Sequence, residues 1–134
     1  MRHPTTSTWI ITSLLALTLA LPSLGCQPDP TVEVRLAATE PGPGLTRADL
    51  KGSDKPIYLG EVILREGDIA DRAPLEDGSP SYTITLTPEA TRRFAQVTQE
   101  HVGQPMAIVV NGEVTSAPVI REVIEGGKLQ VTLR

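Results

Sequence analysis

The segment from Tyr82 to Gly103 constrains the fold most, because the spacing of its apolar residues changes in the middle. From Tyr82 to Leu86, apolar residues alternate with threonines, which is the pattern of a half-buried strand. Thr87 is then the predicted N-cap of a helix and Pro88 its first residue, and Gly103 is predicted to end the helix. The apolar stripe of this predicted helix contains Ala90, Phe94, Val97 and either His101 or Val102. A strand therefore runs directly into a helix that packs against it.

Further short elements flank this unit. Alternation predicts a strand at each end of the domain, and two apolar runs predict two separate strands between them. These four predicted strands are Thr31 to Ala37, Ile57 to Leu59, Val62 to Leu64 and Leu129 to Leu133. Leu45 to Lys51 is short and polar, and we expect one helical turn capped by Thr46. A second helical turn is expected at Asp68 to Asp71.

A hairpin follows the helix. Met106 to Val110 is apolar throughout, and Asn111-Gly112 is the strongest short signal for a two-residue hairpin turn. The return strand begins at Glu113 to Ser116, and Pro118 predicts an edge or a bulge in it. Val119 to Ile124 is expected to continue as an exposed strand. Together these patterns predict an α+β fold, a small antiparallel-dominated sheet with one main helix packed on one face.

The first 25 residues have the order of a secretory signal. Arg2 gives a positive start, and Trp9 to Leu21 is a mostly apolar run of 13 residues. That run is shorter than the about 20 residues that a membrane-spanning helix needs. Pro22 and small residues then precede Cys26. We expect cleavage after Gly25, with an uncleaved anchor as the alternative.

The single cysteine, Cys26, lies where a bacterial lipoprotein carries its diacylglycerol. Ser23-Leu24-Gly25-Cys26 resembles a lipobox, although leucine stands two residues before the cysteine and not three. The same residues also satisfy ordinary signal peptidase, which would leave a free thiol. We therefore expect residues 26–31 to form a tether and residues 32–134 a domain. Lipid anchoring on the periplasmic side of the envelope is expected, and a secreted or soluble periplasmic protein is the alternative.

Charge and motifs exclude several functions. The chain has 12 Lys and Arg against 16 Asp and Glu, a net charge of −4, without the basic stripe that nucleic-acid binding needs. No phosphate loop or hydrolase elbow occurs. His101 is interpreted as a helix-end histidine, and Ser116 has no base beside it in sequence. The carboxylates Glu61, Glu66, Asp68 and Asp71 lack the spacing of a calcium loop. We expect no enzyme activity, metal, cofactor or small-molecule substrate.

Residues Leu86 to Gly127 carry a family resemblance. The run LTPEATRRFAQVTQEHVGQPMAIVVNGEVTSAPVIREVIEGG resembles the first periplasmic domain of SecD, a membrane subunit that assists export through the Sec translocon. The matching features are Phe94-Ala95, Gly103, Ser116 to Ile120 and a Gly-Gly turn. Upstream, VEVRLA at Val32 to Ala37 and LTRADLKG at Leu45 to Gly52 are also similar to this family.

The resemblance implies the function of the SecD head domain without the membrane helices that power export. SecD continues into membrane helices that couple export to protons, and we expect only the head-like domain here, as a standalone lipoprotein. It would be a non-enzymatic envelope binding module whose partners are envelope proteins or exported polypeptides, including the Sec translocon. The alternative is a structural or interaction lipoprotein with one dedicated folded partner, unrelated to export. A peptide could add to a sheet edge near Pro118 or at the terminal strand. The predicted binding residues are Asn111, Gly112, Ser116, Pro118, Val119 and Ile120.

Overall fold

The computed structural model describes Gly25 and residues 28–132. The strands are β1 (Val32–Ala38), β2 (Thr46–Asp49), β3 (Pro56–Leu64), β4 (Ile69–Pro74), β5 (Ser81–Leu86), β6 (Met106–Val110), β7 (Glu113–Ser116) and β8 (Lys128–Thr132). A 3₁₀ turn at Glu66–Asp68 precedes β4, and the helix α1 spans Pro88–Glu100. Residues 1–24 of the predicted signal, Cys26, Gln27 and the last two residues lie outside the described part.

The strands form two antiparallel sheets, and the predicted α+β class is confirmed. One sheet has five strands in the order β2-β3-β1-β6-β7, and the other has three in the order β4-β5-β8. The sequence predicted one small sheet, because periodicity identifies strands without saying which of them pair.

The five-stranded sheet curls until its two edge strands meet. Leu50, just after β2, forms a parallel bridge with Val114 of β7, and the Lys51 N–H donates to the Val114 carbonyl at 3.0 Å. The concave face of this curl encloses a small apolar cluster of Ala37, Ile57, Leu59, Ala107, Val109 and Val114. Burying these side chains offsets the cost of bending the sheet.

The other face of the five-stranded sheet holds the larger core. There α1 and the three-stranded sheet cover β1, β3 and β6, and Phe94 is fully buried between them. All five residues of β6 are buried, because alternate side chains enter the two clusters. Met106, Ile108 and Val110 face the larger core, whereas Ala107 and Val109 face the smaller one. A continuous apolar run is what a strand covered on both faces requires.

The helix begins where the sequence predicts. The Thr87 hydroxyl accepts a hydrogen bond from the Ala90 N–H at 3.2 Å, and Pro88 is the first helical residue. Ala90 and Phe94 are buried as expected. Thr98 is also fully buried, and its hydroxyl accepts a hydrogen bond from the Ile124 N–H at 3.0 Å. Sequence periodicity missed this threonine, which fastens the chain after β7 to the helix.

Four local predictions were wrong. Leu45 to Lys51 contains β2 and not a helical turn, because four exposed or half-buried residues at the edge of a sheet show no apolar alternation. The two strands expected between Pro56 and Leu64 are one strand with bulges against β1. The turn expected at Asp68 to Asp71 ends at Asp68, where β4 follows. Val119 to Ile124 is not a strand, and only Val119 makes an isolated bridge, to Pro105.

Candidate functional site

The chain enters the domain beside the hairpin that joins β6 and β7. The Thr31 N–H donates to Asn111 Oδ1 at 3.0 Å, and the Asn111 N–H donates to the Thr31 carbonyl at 2.9 Å. One residue earlier, the Pro30 carbonyl accepts a hydrogen bond from the Arg72 guanidinium at 2.7 Å. Glu66 pairs with the same guanidinium and accepts a hydrogen bond from the Val32 N–H at 3.0 Å. The end of the predicted tether is therefore fixed to β4 and to the hairpin.

The hairpin turn has the geometry that its sequence predicts. Asn111 and Gly112 both have positive φ values, 50° and 83°, as a type I′ turn requires. Both residues are exposed. Asparagine tolerates this region better than other residues with a Cβ, and here its side chain also binds the entering chain.

The Ser116–Ile120 segment leaves β7 and crosses towards the end of the helix. Ser116 is half-buried opposite Ile108, and Pro118 and Val119 are exposed, with Val119 at 51%. Ile120 is 1% exposed and belongs to the larger core, so it lies away from the surface where the sequence placed it. Its N–H donates to the Gln104 carbonyl at 2.9 Å, and its carbonyl accepts from the Gly103 N–H at 2.7 Å. With its backbone paired to Gly103 and Gln104, the Ile120 side chain points into the core.

The structure separates the predicted binding residues into two groups. Val32 lies opposite Val110, and Leu36 lies opposite Met106, so the entering chain and the hairpin share one end of β6. Pro118 is bound at the other end, where its carbonyl accepts a hydrogen bond from the Met106 N–H at 2.9 Å. Five strand residues span about 17 Å. The hairpin and the Pro118-Val119 surface are therefore two surfaces and not one.

Val102 adds to the second of these surfaces. This residue follows α1, is 49% exposed, and precedes Gly103, which is hydrogen-bonded to Ile120. Val102 and Val119 are the two exposed large apolar residues of the described chain. The apolar spacing predicted His101 or Val102 as the last member of the buried stripe, and the end of the helix at Glu100 leaves Val102 outside it.

Part of the outer edge of β7 is already hydrogen-bonded to the segment after β2. The hydrogen bond from Lys51 to Val114 occupies one outward carbonyl, and Lys51 Nζ lies 3.5 Å from Glu113 Oε2 across the seam between β2 and β7. A shallow groove of about 350 Å³ opens beside it, and its walls include Ala48, Leu59 and Gly112. A peptide adding to β7 would first have to displace Lys51.

Three of the titratable residues that the sequence singled out, His101, Asp68 and Glu66, are bound by structural partners. His101 Nδ1 lies 2.8 Å from the Val97 carbonyl, so the ring closes the end of α1. Burial raises the pKa of Asp68, but hydrogen bonds from Arg93 at 2.8 Å and from the Arg65 N–H at 2.9 Å, with both positive charges, bring it below 3.8. Glu66 binds Arg72, as described above. Within residues 28–132, no three acidic, histidine or cysteine side chains gather around a common point.

No helix among the described residues has the length and apolar character needed to cross a membrane. Cys26, the predicted lipid attachment residue, lies outside those residues, so its prediction stays a prediction. Cleavage after Gly25 and a tether over residues 26–31 also stay predictions.

Comparison with known proteins gives one family. The family model described as SecDF, P1 head subdomain, matches residues 45–134. The protein translocase subunit SecDF of Thermus thermophilus is 40% identical over 94 residues, which are 68% of this chain and 13% of that protein. The SecD subunit of Acetobacter pasteurianus is 32% identical over 106 residues, 72% of this chain and 20% of that protein. The chain thus spans a fifth or less of these two relatives.

Solved structures have the same fold. One, described as a membrane component SecDF that enhances protein export, matches with a TM-score of 0.59 and 27% identity, over 77% of this chain and 55% of that one. Another, SecDF in a super-membrane-facing form, matches with a TM-score of 0.60 and 26% identity, over 77% of this chain and 16% of that one. Both similarities cover most of the described residues.

Proposed function

Because this chain belongs to the SecDF P1 head family, we propose that it is a non-enzymatic envelope module that binds exported polypeptides and assists their translocation. The observation that carries the proposal is the family match across residues 45–134, most of the folded domain. A similar solved structure is described as a component that enhances protein export. Since this chain spans only a fifth or less of the relatives compared above, the proposal transfers the role of the head and not that of the whole subunit.

The geometry supports binding more than catalysis. His101 is engaged with the backbone of its own helix, and Glu66 and Asp68, just before β4, are engaged by Arg72, Arg93 and backbone N–H groups. Exposed Val102 and Val119, by contrast, present apolar side chains to solvent on adjoining segments. Small apolar contacts of this kind suit weak binding of many sequences.

We also propose that Cys26 carries the lipid and orients the domain in the periplasm. Only residues 27–30 separate Cys26 from Thr31, and even a fully extended tether reaches no further than about 18 Å. Because Thr31 is fixed to Asn111, the hairpin would face the membrane. The Pro118-Val119 surface, at the other end of β6, would face away from the lipid.

Photo-crosslinking in cells tests this proposal. A photoreactive amino acid replaces Val119 in the full chain, and a matched chain carries it at Glu76, an exposed residue of the loop between β4 and β5. We expect many different exported polypeptides, together with translocon subunits, to crosslink at residue 119 and not at residue 76. Capture of one folded envelope protein in constant proportion, without translocon subunits, would instead favour a dedicated interaction lipoprotein.

A further inference from the structure

The three-stranded sheet ends in a regular, unpaired edge. Its outermost strand β8 pairs with β5 on one side, and between Pro28 and Thr132 no other strand pairs with it. Apart from its pairing with β5, no backbone hydrogen bond joins β8 to residues 28–127. Such an edge is a template for another extended chain unless the protein protects it.

The direction of the free backbone groups follows from the hydrogen-bond pattern. The Leu86 N–H donates to the Gly127 carbonyl at 2.7 Å, and this pair continues the β5–β8 register by one residue. In an antiparallel ladder, bonded and non-bonded pairs alternate. Leu129 and Val131 therefore bond to β5, whereas Lys128, Gln130 and Thr132 direct their N–H and C=O groups outward.

The other strand edges are less available than β8. At the opposite edge of the same sheet, the Leu75 N–H donates to the Ser81 carbonyl, so Ala73 bonds inward and Pro74 points outward without an N–H. Arg72, also on that edge, is bound to Pro30. In the five-stranded sheet, the two edges meet at Leu50 and Val114. By contrast, β8 has five residues with no proline and no bulge.

We propose that the outward edge of β8 binds an extended segment of an exported polypeptide as an added antiparallel strand, an inference that rests on the function proposed above. The outward residues provide backbone groups, and Lys128 is the only charged side chain of the strand. Recognition through backbone alone accepts many sequences. The edge is about 17 Å long and one strand wide. The area that it can bury is therefore far smaller than the about 800 Å² that each partner buries in a stable dimer. The occupant is therefore a transiently bound chain and not a second copy.

A substitution confined to the outward groups tests the inference. Gln130→Pro removes one outward N–H and leaves the bonds of Leu129 and Val131 to β5 in place. Gln130→Ala removes the same side chain and keeps the N–H, which makes it the matched control. The probe is a fluorescent heptapeptide of alternating threonine and valine, measured by fluorescence anisotropy with the full chain. We expect Gln130→Pro to weaken binding by about tenfold or more and Gln130→Ala to change it less than about twofold.

A second measurement leaves the protein unaltered, in case Gln130→Pro disturbs the strand. The same heptapeptide with N-methyl groups on alternate residues cannot pair along one edge, and we expect it to bind about tenfold more weakly. The peptide should also slow hydrogen exchange at the amides of Lys128, Gln130 and Thr132. Equal binding of both peptides, or unchanged exchange at these amides in the peptide complex, would overturn the inference.

Two outcomes distinguish this inference from the proposed function. If polypeptides crosslink at residue 119 in cells while peptide binding leaves the β8 amides unchanged, the β8 site is wrong and the function stands. If residue 119 captures no exported chain in cells and the heptapeptide does not bind, both are wrong. Protection of the Gln130 amide that rises with protein concentration in the absence of peptide would show a second copy at this edge and overturn the inference.

Discussion

Thr31 and Asn111 bind each other through three hydrogen bonds, two of them from backbone N–H groups, although they lie 80 positions apart in sequence. The Asn111 side chain accepts from the Thr31 N–H, and the Asn111 backbone donates to the Thr31 carbonyl. One residue thus has two functions, since Asn111 also adopts the positive φ of the hairpin turn. These functions can be separated by substitution.

Asn111→Ala should lower the free energy of unfolding by about 1–2 kcal/mol, because it loses the side-chain acceptor and places a Cβ at positive φ. Asn111→Gly should cost less, because glycine adopts this φ freely and loses only the acceptor. Urea unfolding of both variants measures the difference. Both should speed hydrogen exchange at the Thr31 amide. Equal stability of the two variants would show that the backbone conformation contributes nothing.

Gly127→Ala should destabilise the protein by more than about 2 kcal/mol. Gly127 has a φ of 61°, and an added Cβ would clash with the hydroxyl of Thr91 and lie 3.0 Å from its Cγ2. Gly126→Ala is the matched control, since its Cβ would meet nothing within 4 Å. Thermal and urea unfolding compare the two. Adding Thr91→Ala to Gly127→Ala should restore part of the loss, and the absence of any restoration would contradict the proposed steric clash.

Thr98→Val should cost about 1–3 kcal/mol, because it leaves the Ile124 N–H without its acceptor in a fully buried position. Thr98→Ser keeps the hydroxyl and serves as the control. Hydrogen exchange at the Ile124 amide separates the causes, since only the valine variant should accelerate it. If both variants accelerate exchange equally, the methyl contact and not the hydrogen bond fastens this segment.

Asp68 should contribute stability that depends on pH. Burial raises its pKa, but the hydrogen bonds and charges of Arg93 and Arg65 lower it more, to below 3.8 in the folded protein. A lowered folded pKa means that the stabilisation is present above the unfolded pKa, near 4, and is lost as the pH falls through the folded pKa. Asp68→Asn should therefore be less stable than the wild type at pH 7 and approach it below pH of about 4.

Urea unfolding between pH 7 and 3 checks this difference. Arg93→Gln should show the same convergence, because it removes the ion pair from the other side. Arg92→Gln, at the neighbouring and more exposed position, is the control and should not converge with pH in this way. A constant gap between Asp68→Asn and the wild type across this range would contradict the prediction.

Cys26→Ser tests the proposed anchor. A lipid-anchored protein should sediment with membranes and dissolve with detergent, and the serine variant should appear in the soluble fraction. Mass spectrometry of the purified protein should show a diacylglycerol adduct on the wild type alone. An unmodified thiol with soluble behaviour would support the alternative of a free periplasmic protein.

Local sequence signals predicted the elements that depend on neighbours in the chain. The alternation before Leu86, the cap at Thr87 and the turn at Asn111-Gly112 each need only a few adjacent residues, and all three are confirmed. The order of strands depends on contacts between distant residues, such as Leu50 with Val114, and no local pattern carries it. This is why two sheets were predicted as one.

The candidate site shows the same limit. Pro118 and Val119 are exposed as predicted, but Ile120 is buried because its backbone pairs with Gly103 and Gln104 across 16 residues or more. The terminal strand was considered as a binding edge, yet its register against β5 had to be known before its outward groups could be assigned.

The double burial of β6 has a consequence for how the chain folds. Both apolar clusters include side chains from this strand, so neither can close before β6 has docked beside β1. The β1–β6 pairing joins residues at least 70 positions apart, and such long loops close slowly. Nearly the whole chain must therefore be present before either half of the domain is stable. Until then the protein is itself an unfolded polypeptide, of the kind that it is proposed to bind.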